Sequence, residues 1–280
     1  MKDVDLRQKI IEFEHHMEEQ ERSPLTKEKY IRDIGRFIAF LNGEDLTKSK
    51  VLVFKRQLQE QYKPSSVNSM LAALNSYFAF INRPELKVRP LKIQQCVFSE
   101  SGRELSKEEY CRLLQVARRK KKQKLYLLMQ TIFSTGIRVS ELRFITTEAV
   151  HSGKVQVQSK GKLRTVFLVS ELKRLLLQYI KRENIIKGSV FVTRNGNPIS
   201  RSKIWAAMKA LCEEAKVERE KVFPHNLRHL FAKIFYQAEK DLGRLADILG
   251  HSNVNTTRIY TMECGRTHEK ILQHLNLVYK

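Results

Sequence analysis

Apolar positions in the first ninety residues recur at helical spacing. Leu6, Ile10, Ile11, Phe13 and Met17 predict a helix over 3–21. Ser23-Pro24 interrupts the pattern. Thr26 then reads as the N-cap of a second helix, with Tyr30, Ile34, Phe37, Ile38 and Leu41 on one face and Asn42-Gly43 at its end. Thr47 opens a third helix that runs to about Gln61. Lys63-Pro64-Ser65-Ser66 reads as a break and cap before a fourth, whose apolar positions are Leu71, Leu74, Phe78 and Ile81. No strand-like alternation interrupts this run. It predicts a four-helix domain, an architecture that by itself carries no function.

The pattern then changes. Residues 83–103 hold two prolines and no helical period, which reads as an interdomain linker. Ser106 and Glu109 form a capping box at the start of a new helix, LSKEEYCRLLQVA. A further apolar helix spans Leu125 to Phe133 and ends at Thr135-Gly136. Two short alternating segments follow, Lys154–Gln158 and Leu163–Val169, joined by Lys160-Gly161-Lys162 as in a hairpin. Ser189–Thr193 is a third strand candidate, followed by the turn residues Asn195-Gly196-Asn197-Pro198. After Ser200 the helical period returns. We divide the chain into residues 1–90, a linker at 91–103, and residues 104–280. The fold class is mainly α, with one small antiparallel β-sheet in the second domain.

Composition narrows the partners. The chain has 280 residues, 42% of them hydrophobic and 29% charged, which is ordinary globular usage. No apolar run reaches the roughly 20 residues that a membrane span needs. The N-terminus carries acids and does not read as a signal peptide. Four scattered cysteines, Cys96, Cys111, Cys212 and Cys264, form no CxxC pair and read as reduced thiols. With 52 Lys and Arg against 30 Asp and Glu, the formal charge is +22. Residues 1–90 hold 16 basic and 13 acidic side chains, and residues 91–280 hold 36 and 17. The second part thus carries most of a field that attracts a polyanion. Its densest stretch, Arg118 to Lys124, is equally compatible with a solvated helix end.

The chemistry lies in four short motifs. Neither a Walker loop nor a dinucleotide fingerprint is present. His225 and His229 stand at i, i+4, but Asn226 occupies the place a zinc-protease glutamate would need. With no further ligand at useful spacing, the pair reads as structural and no metal is expected. The more informative set is Thr135-Gly136-Ile137-Arg138-Val139-Ser140-Glu141-Leu142, which reads as a helix start after a glycine break, together with His225-Asn226-Leu227-Arg228-His229, Leu249-Gly250-His251-Ser252, and Arg258-Ile259-Tyr260-Thr261. Each alone has an ordinary reading as a cap, a helix start or a packed aromatic. Their order and spacing together do not.

TGIRVSEL, HNLRH and ILGHSNVNTTRIYTM together resemble the three signature segments of the tyrosine recombinase, or phage integrase, family. The segment from about Leu105 to Met262 resembles its catalytic domain. Residues 1–90 resemble its helical, SAM-like core-binding domain by size and helix count. At this length the resemblance implies no extra N-terminal arm-binding domain, as in Xer-type and small mobile-element members. It also implies site residues. Arg138 matches the first arginine, His225 and Arg228 the His-x-x-Arg pair, His251 the second histidine and Tyr260 the nucleophile. The family hairpin usually reads Lys-Gly-x-Lys-x-Arg, whereas this chain has Lys160-Gly161-Lys162-Leu163-Arg164, one residue shorter. Lys160 fits the hairpin lysine best, and Lys162 is the alternative. Glu141 matches an acid that supports the site, and His229 fits a packing role.

The resemblance implies a site-specific DNA recombinase that cleaves and rejoins DNA through a 3′-phosphotyrosyl intermediate, using neither metal nor ATP and no cofactor. A non-catalytic DNA-binding regulator and type IB topoisomerase-like relaxation are the alternatives on the same scaffold. The implied partners are double-stranded DNA recombination sites and a homotetramer on DNA. In that tetramer the tail RTHEKILQHLNLVYK, with apolar Ile271, Leu272, Leu275 and Leu277, is donated to the neighbouring protomer. There is room for a related recombinase or an accessory protein, and no membrane partner. The expected location is cytoplasmic and nucleoid-associated.

Overall fold

A computed structural model describes residues 3–93, 104–159, 162–193, 195–251 and 253–260. The chain forms two compact units, Met1–Gln95 and Cys96–Lys280. The first contains helices α1 (Asp3–Glu19), α2 (Pro24–Leu41), α3 (Lys48–Gln61) and α4 (Pro64–Phe80), followed by a 3₁₀ turn at Pro84–Leu86. The apolar stripes meet in one core, where Leu6, Phe13, Ile34, Phe37, Leu71, Leu74 and Phe78 are all buried. Each such side chain contributes about 1.5–3 kcal/mol by leaving water. Tyr77 is buried among them because its hydroxyl donates to the Leu6 carbonyl at 2.9 Å.

Two helix starts differ from the sequence reading. Ser23, not Thr26, caps α2; its Oγ accepts from the Thr26 amide, and Pro24 occupies the first helical position. Likewise α4 begins at Pro64, with Lys63 in the cap position and no side-chain cap, so Ser65 and Ser66 lie inside the helix. In both cases proline starts the helix rather than separating elements, since its missing N–H would be unpaired there anyway. The stretch from residue 83 also departs from a plain linker. Leu86 and Val88 are buried in the first core. Asn75 bonds Val88 through both its amide atoms, at 2.8 and 2.9 Å, and Asn68 does the same for Leu91, at 2.9 and 2.7 Å. Asn68 and Asn75, seven residues apart on α4, thus act as substitute strand partners for an extended chain that prolines keep out of a helix. Residues 94–103 lie outside the described residues.

The second unit contains α5 (Lys107–Arg119), α6 (Gln123–Thr135), α7 (Thr147–Ser152), β1 (Lys154–Ser159), β2 (Lys162–Phe167), α8 (Ser170–Arg182), α9 (Arg201–Lys209), α10 (Cys212–Ala215), α11 (Pro224–Glu239) and α12 (Leu242–Leu249). The Ser106–Glu109 capping box of α5 is present. Strands β1 and β2 pair antiparallel, with Lys154 opposite Phe167 and Ser159 opposite Lys162. Lys162 therefore belongs to a strand rather than to the turn. Val155, Val157 and Val166 face the core, while Gln156, Leu163, Thr165 and Phe167 face solvent. The third strand expected at 189–193 is absent among the described residues. Ser189 and Val192 make only isolated bridges, to Thr146 and Pro198. Val190 and Phe191 are buried, so the apolar run serves packing, not a ladder. Helix α11 packs against α6, and α12 packs against α11. Those contacts bring three of the four motifs to one place.

Candidate active site

The first motif is a turn rather than a helix start. Helix α6 ends at Gly136, which has φ +63 and caps the helix in the left-handed conformation. A β-carbon there would sit 2.5 Å from the Phe231 ring, so only glycine fits. Ile137 then turns into the core and Arg138 turns out, followed by a 3₁₀ segment at Val139–Phe144. The second motif begins α11, with Pro224 in the first turn. The spacing of His225, Arg228 and His229 puts all three on one helix face, while Leu227 and Leu230 are buried. The third motif ends α12 at Gly250, φ +64. His251 follows, and a 3₁₀ turn at Arg258–Tyr260 carries the fourth.

Arg228 is the centre of the cluster. It is 3% exposed, and its guanidinium donates to the Gly136 carbonyl, to the Leu249 carbonyl at 2.8 Å and to His251 Nε2 at 2.9 Å. The Tyr260 phenol lies near enough to the same group to favour its charged form. Burial, with Arg138 nearby, lowers its pKa to about 10, so the charge persists at neutral pH. Arg138 is more open. Its Nη1 donates to Glu141 Oε1 at 2.9 Å and its Nη2 to the Gly250 carbonyl at 3.2 Å. Glu141 is 2% exposed. Burial alone would raise its pKa, but the Arg138 amide and the Arg164 and Arg138 guanidiniums hold the carboxyl below its usual range.

The histidines are held neutral. Burial, then Arg228, Arg138 and Arg164, lowers the pKa of His251 to about 4. Arginine can only donate, so His251 Nε2 accepts from Arg228 and Nδ1 carries the hydrogen, which it gives to Thr257 Oγ1 at 2.9 Å. Burial also lowers His229 to about 4. Its ring meets Tyr260 edge-on at 4.5 Å, and the His251 ring stacks on Tyr260 at 6.1 Å. His225 is exposed, yet crowding by the protein around it, and then Arg228, Arg201 and Arg138, lower its pKa as well. Tyr260 is 5% exposed and packs with Ala232, Leu245 and Leu249.

Next to this cluster is a cavity of about 340 Å³ lined by Arg138, Arg201, His225 and Arg228 with Ile137 and Ile199. Three guanidiniums and an imidazole facing one cavity make a site for a tetrahedral anion such as a phosphodiester. Arg228 lines the cavity, bonds His251 and lies beside Tyr260. Arg138, His225, Arg228, His251 and Tyr260 therefore share one site. Lys160 lies outside the described residues, and Lys162 is placed only as a member of β2. Among the described residues there is no group of three His, Cys, Asp or Glu side chains arranged to hold a metal ion, and no helix long and apolar enough to cross a membrane. Cys111 and Cys212 are free thiols. Three contributors were not singled out from sequence: Arg164, Arg201 and Thr257. Arg201 had a signal, because Ser200 caps α9 and the next residue is thereby fixed at its first turn.

Comparison with known proteins decides the family. A model of the phage integrase family matches residues 103–264. The chain belongs to the phage integrase family. A second model, the phage integrase N-terminal SAM-like domain, matches residues 10–84. Tyrosine recombinase XerD of Lacticaseibacillus casei is 28% identical, with 96% of each chain covered. Tyrosine recombinase XerA of Pyrococcus furiosus is 27% identical over 99% of this chain and 98% of its own. Among solved structures, a lambda integrase tetramer bound to a Holliday junction shares the fold, with a TM-score of 0.70 and 19% identity over 90% of this chain and 78% of the other. As a family member, the protein is a tyrosine site-specific recombinase with a helical SAM-like domain ahead of a mostly helical catalytic domain.

Proposed function

We propose that this integrase-family enzyme breaks and rejoins double-stranded DNA at a specific site, with Tyr260 as its nucleophile. The observation that carries the reading is one buried phenol set among Arg228, His229 and His251, beside a cavity that Arg228 shares with Arg138 and His225.

The scissile phosphate sits in the cavity, its non-bridging oxygens held by Arg138 and Arg228. Charge grows on those oxygens in the in-line transition state, and planar guanidiniums that stay protonated suit it. His251, whose Nε2 accepts from Arg228, helps aim that guanidinium, and His225, neutral near pH 7, accepts the phenolic proton. The Tyr260 oxygen forms a bond to phosphorus as the bond to the 5′ oxygen breaks. Lys160, the lysine before Gly161 in the sequence, supplies the proton that this poor leaving group needs. The products are a 3′-phosphotyrosyl bond and a free 5′-hydroxyl. The phosphodiester energy is kept, so a 5′-hydroxyl from another duplex reverses the step and exchanges strands without ATP. Tyr260 is nearly buried against its own helices, so attack requires the segment that carries it to move toward the cavity.

Residues 1–90 form the core-binding domain, and residues 104–280 the catalytic domain. They are joined by the linker at 91–103, and each contacts the duplex. Backbone contacts dominate binding, which therefore weakens steeply with salt. The tail from Arg266 lies outside the described residues; as in the family, it reaches a neighbouring protomer, and four subunits close a ring on DNA. The enzyme works in the cytoplasm on nucleoid DNA.

The test is to trap covalent complexes on cellular DNA, sequence the attached 3′ ends and identify the modified peptide by mass spectrometry. One recurrent site with the nucleotide on Tyr260 is the expected result. Attachment through another residue, or a 5′ linkage, contradicts the assignment.

A further inference from the structure

Helix α12 ends with three carbonyls that have no partner further along a helix, those of Ile248, Leu249 and Gly250. Each is taken by a different arginine from a different segment. Arg164 Nη1 on β2 donates to Ile248 at 2.7 Å, Arg228 on α11 donates to Leu249, and Arg138 after α6 donates to Gly250. A helix C-terminus is the negative end of its dipole and suits cations. Two of the three arginines line the cavity, and Arg164 does not.

Arg164 instead holds the groups behind it. Its Nη2 meets Glu141 Oε2 at 2.5 Å. That same oxygen accepts from the Arg138 amide at 2.8 Å, while Oε1 accepts from Arg138 Nη1. The aliphatic part of Arg164 lies so close to Gly250 that a β-carbon there would be 2.6 Å from its Cδ. One side chain thus fixes both ends of the Arg138 guanidinium's support: the carboxylate on one side and the Gly250 carbonyl on the other. Nothing else among the described residues pairs with Glu141 apart from Arg138 itself.

We infer that Arg164 is a positioning residue for strand cleavage, aiming Arg138 at the phosphate through Glu141 and fixing the Gly250–His251 turn. This rests on the function proposed above. A planar fork suits the task, because it can hold a carboxylate and a carbonyl at once. Without Arg164 the Glu141 carboxylate is free to turn, and Arg138 loses its orientation though not its charge. Misplacing a reacting group by about 1 Å costs on the order of 10²-fold in rate.

The experiment uses half-site duplexes carrying the site recovered from the trapped 3′ ends, made with either a normal scissile phosphate or a neutral methylphosphonate. A neutral phosphorus centre needs less from Arg138. The ratio of the two cleavage rates therefore reports on that arginine and cancels the amount of folded enzyme. Arg164→Ala should cleave the normal site about 10²-fold more slowly at saturating DNA, with unchanged DNA affinity. Its rate ratio should shift toward the methylphosphonate, as in Arg138→Ala. Arg164→Lys should lie between Arg164→Ala and wild type, and it carries the test if the alanine variant does not fold. An unchanged ratio in both Arg164 variants overturns the inference. So does recovery of normal cleavage by a 5′-bridging sulfur, which would place the defect on the leaving group. If wild type forms no adduct on either duplex, the functional proposal has failed. A wild-type adduct with unshifted variant ratios sinks only Arg164.

Discussion

The two compact units solve different problems with the same helical material. In the first, the core is almost wholly apolar and aromatic. Phe13 meets Tyr77 edge-on at 5.5 Å, and Phe37 meets Phe78 at 5.8 Å. Its one buried charged residue among those described, Asp33, is paired with Lys29 at 2.6 Å. In the second, Glu141 and Arg228 are buried where α6, α11 and α12 meet, and their hydrogen bonds cross from one element to another. The charge balance follows the same division, near neutrality in residues 1–90 and strongly basic in residues 91–280. The first unit is specified by shape and burial. The second gives up some of that simplicity to hold cations in place before any DNA arrives. Preorganised charge of that kind is what electrostatic catalysis requires.

The comparison can be broken by substitution, beginning with the first unit. Phe37→Ala should destabilise the protein by about 3–5 kcal/mol, through lost burial and the cavity left behind. Adduct formation per folded molecule should stay as in wild type. Chemical denaturation paired with an active-site count checks this, and a loss of chemistry in the folded fraction would show that the units are not separate in purpose. Arg228→Lys should instead lower the rate of each folded molecule. Losing one preorganised donor raises the barrier by about 2.7–4 kcal/mol, or 10²–10³-fold in rate. Single-turnover cleavage at saturating DNA measures that loss, and a near-normal rate would remove Arg228 from the transition state.

Acid sharpens the contrast with a smaller effect. His229 and His251 have folded pKa values of about 4 against an ordinary 6.5. Between those values the unfolded chain binds protons that the folded chain does not. Stability is therefore fully present above about pH 6.5 and is lost as pH falls toward 4. Each histidine contributes a slope of up to about 1.4 kcal/mol per pH unit. Urea midpoints between pH 6.5 and 4.5 should fall, and His251→Asn should flatten that fall. A slope unaltered by the substitution would mean that His251 is not held neutral.

Much of the architecture was legible because periodicity and caps are local. The Thr47 cap, the Ser106–Glu109 box and the Gly136 stop are all found where the sequence puts them. The sequence misleads where one local signal has two meanings. Pro24 and Pro64 start helices rather than break the chain, and the apolar run at 189–193 packs without a ladder. The motif spacing gathered Arg138, His225, Arg228, His251 and Tyr260, but not how they are wired. Arg164 bonds a carbonyl 84 residues away, and His251 bonds Thr257 on a turn with no helical period. Contacts set by a distant segment or an irregular turn leave no periodic trace in a single sequence.

The central claim is that the Tyr260 hydroxyl becomes esterified to DNA. Tyr260→Phe removes one oxygen and leaves the ring among His229, His251 and Leu249. Incubated with a nicked suicide duplex bearing the recovered site, this variant should bind DNA as wild type does and form no covalent adduct on a denaturing gel. An adduct that persists in Tyr260→Phe would contradict the account.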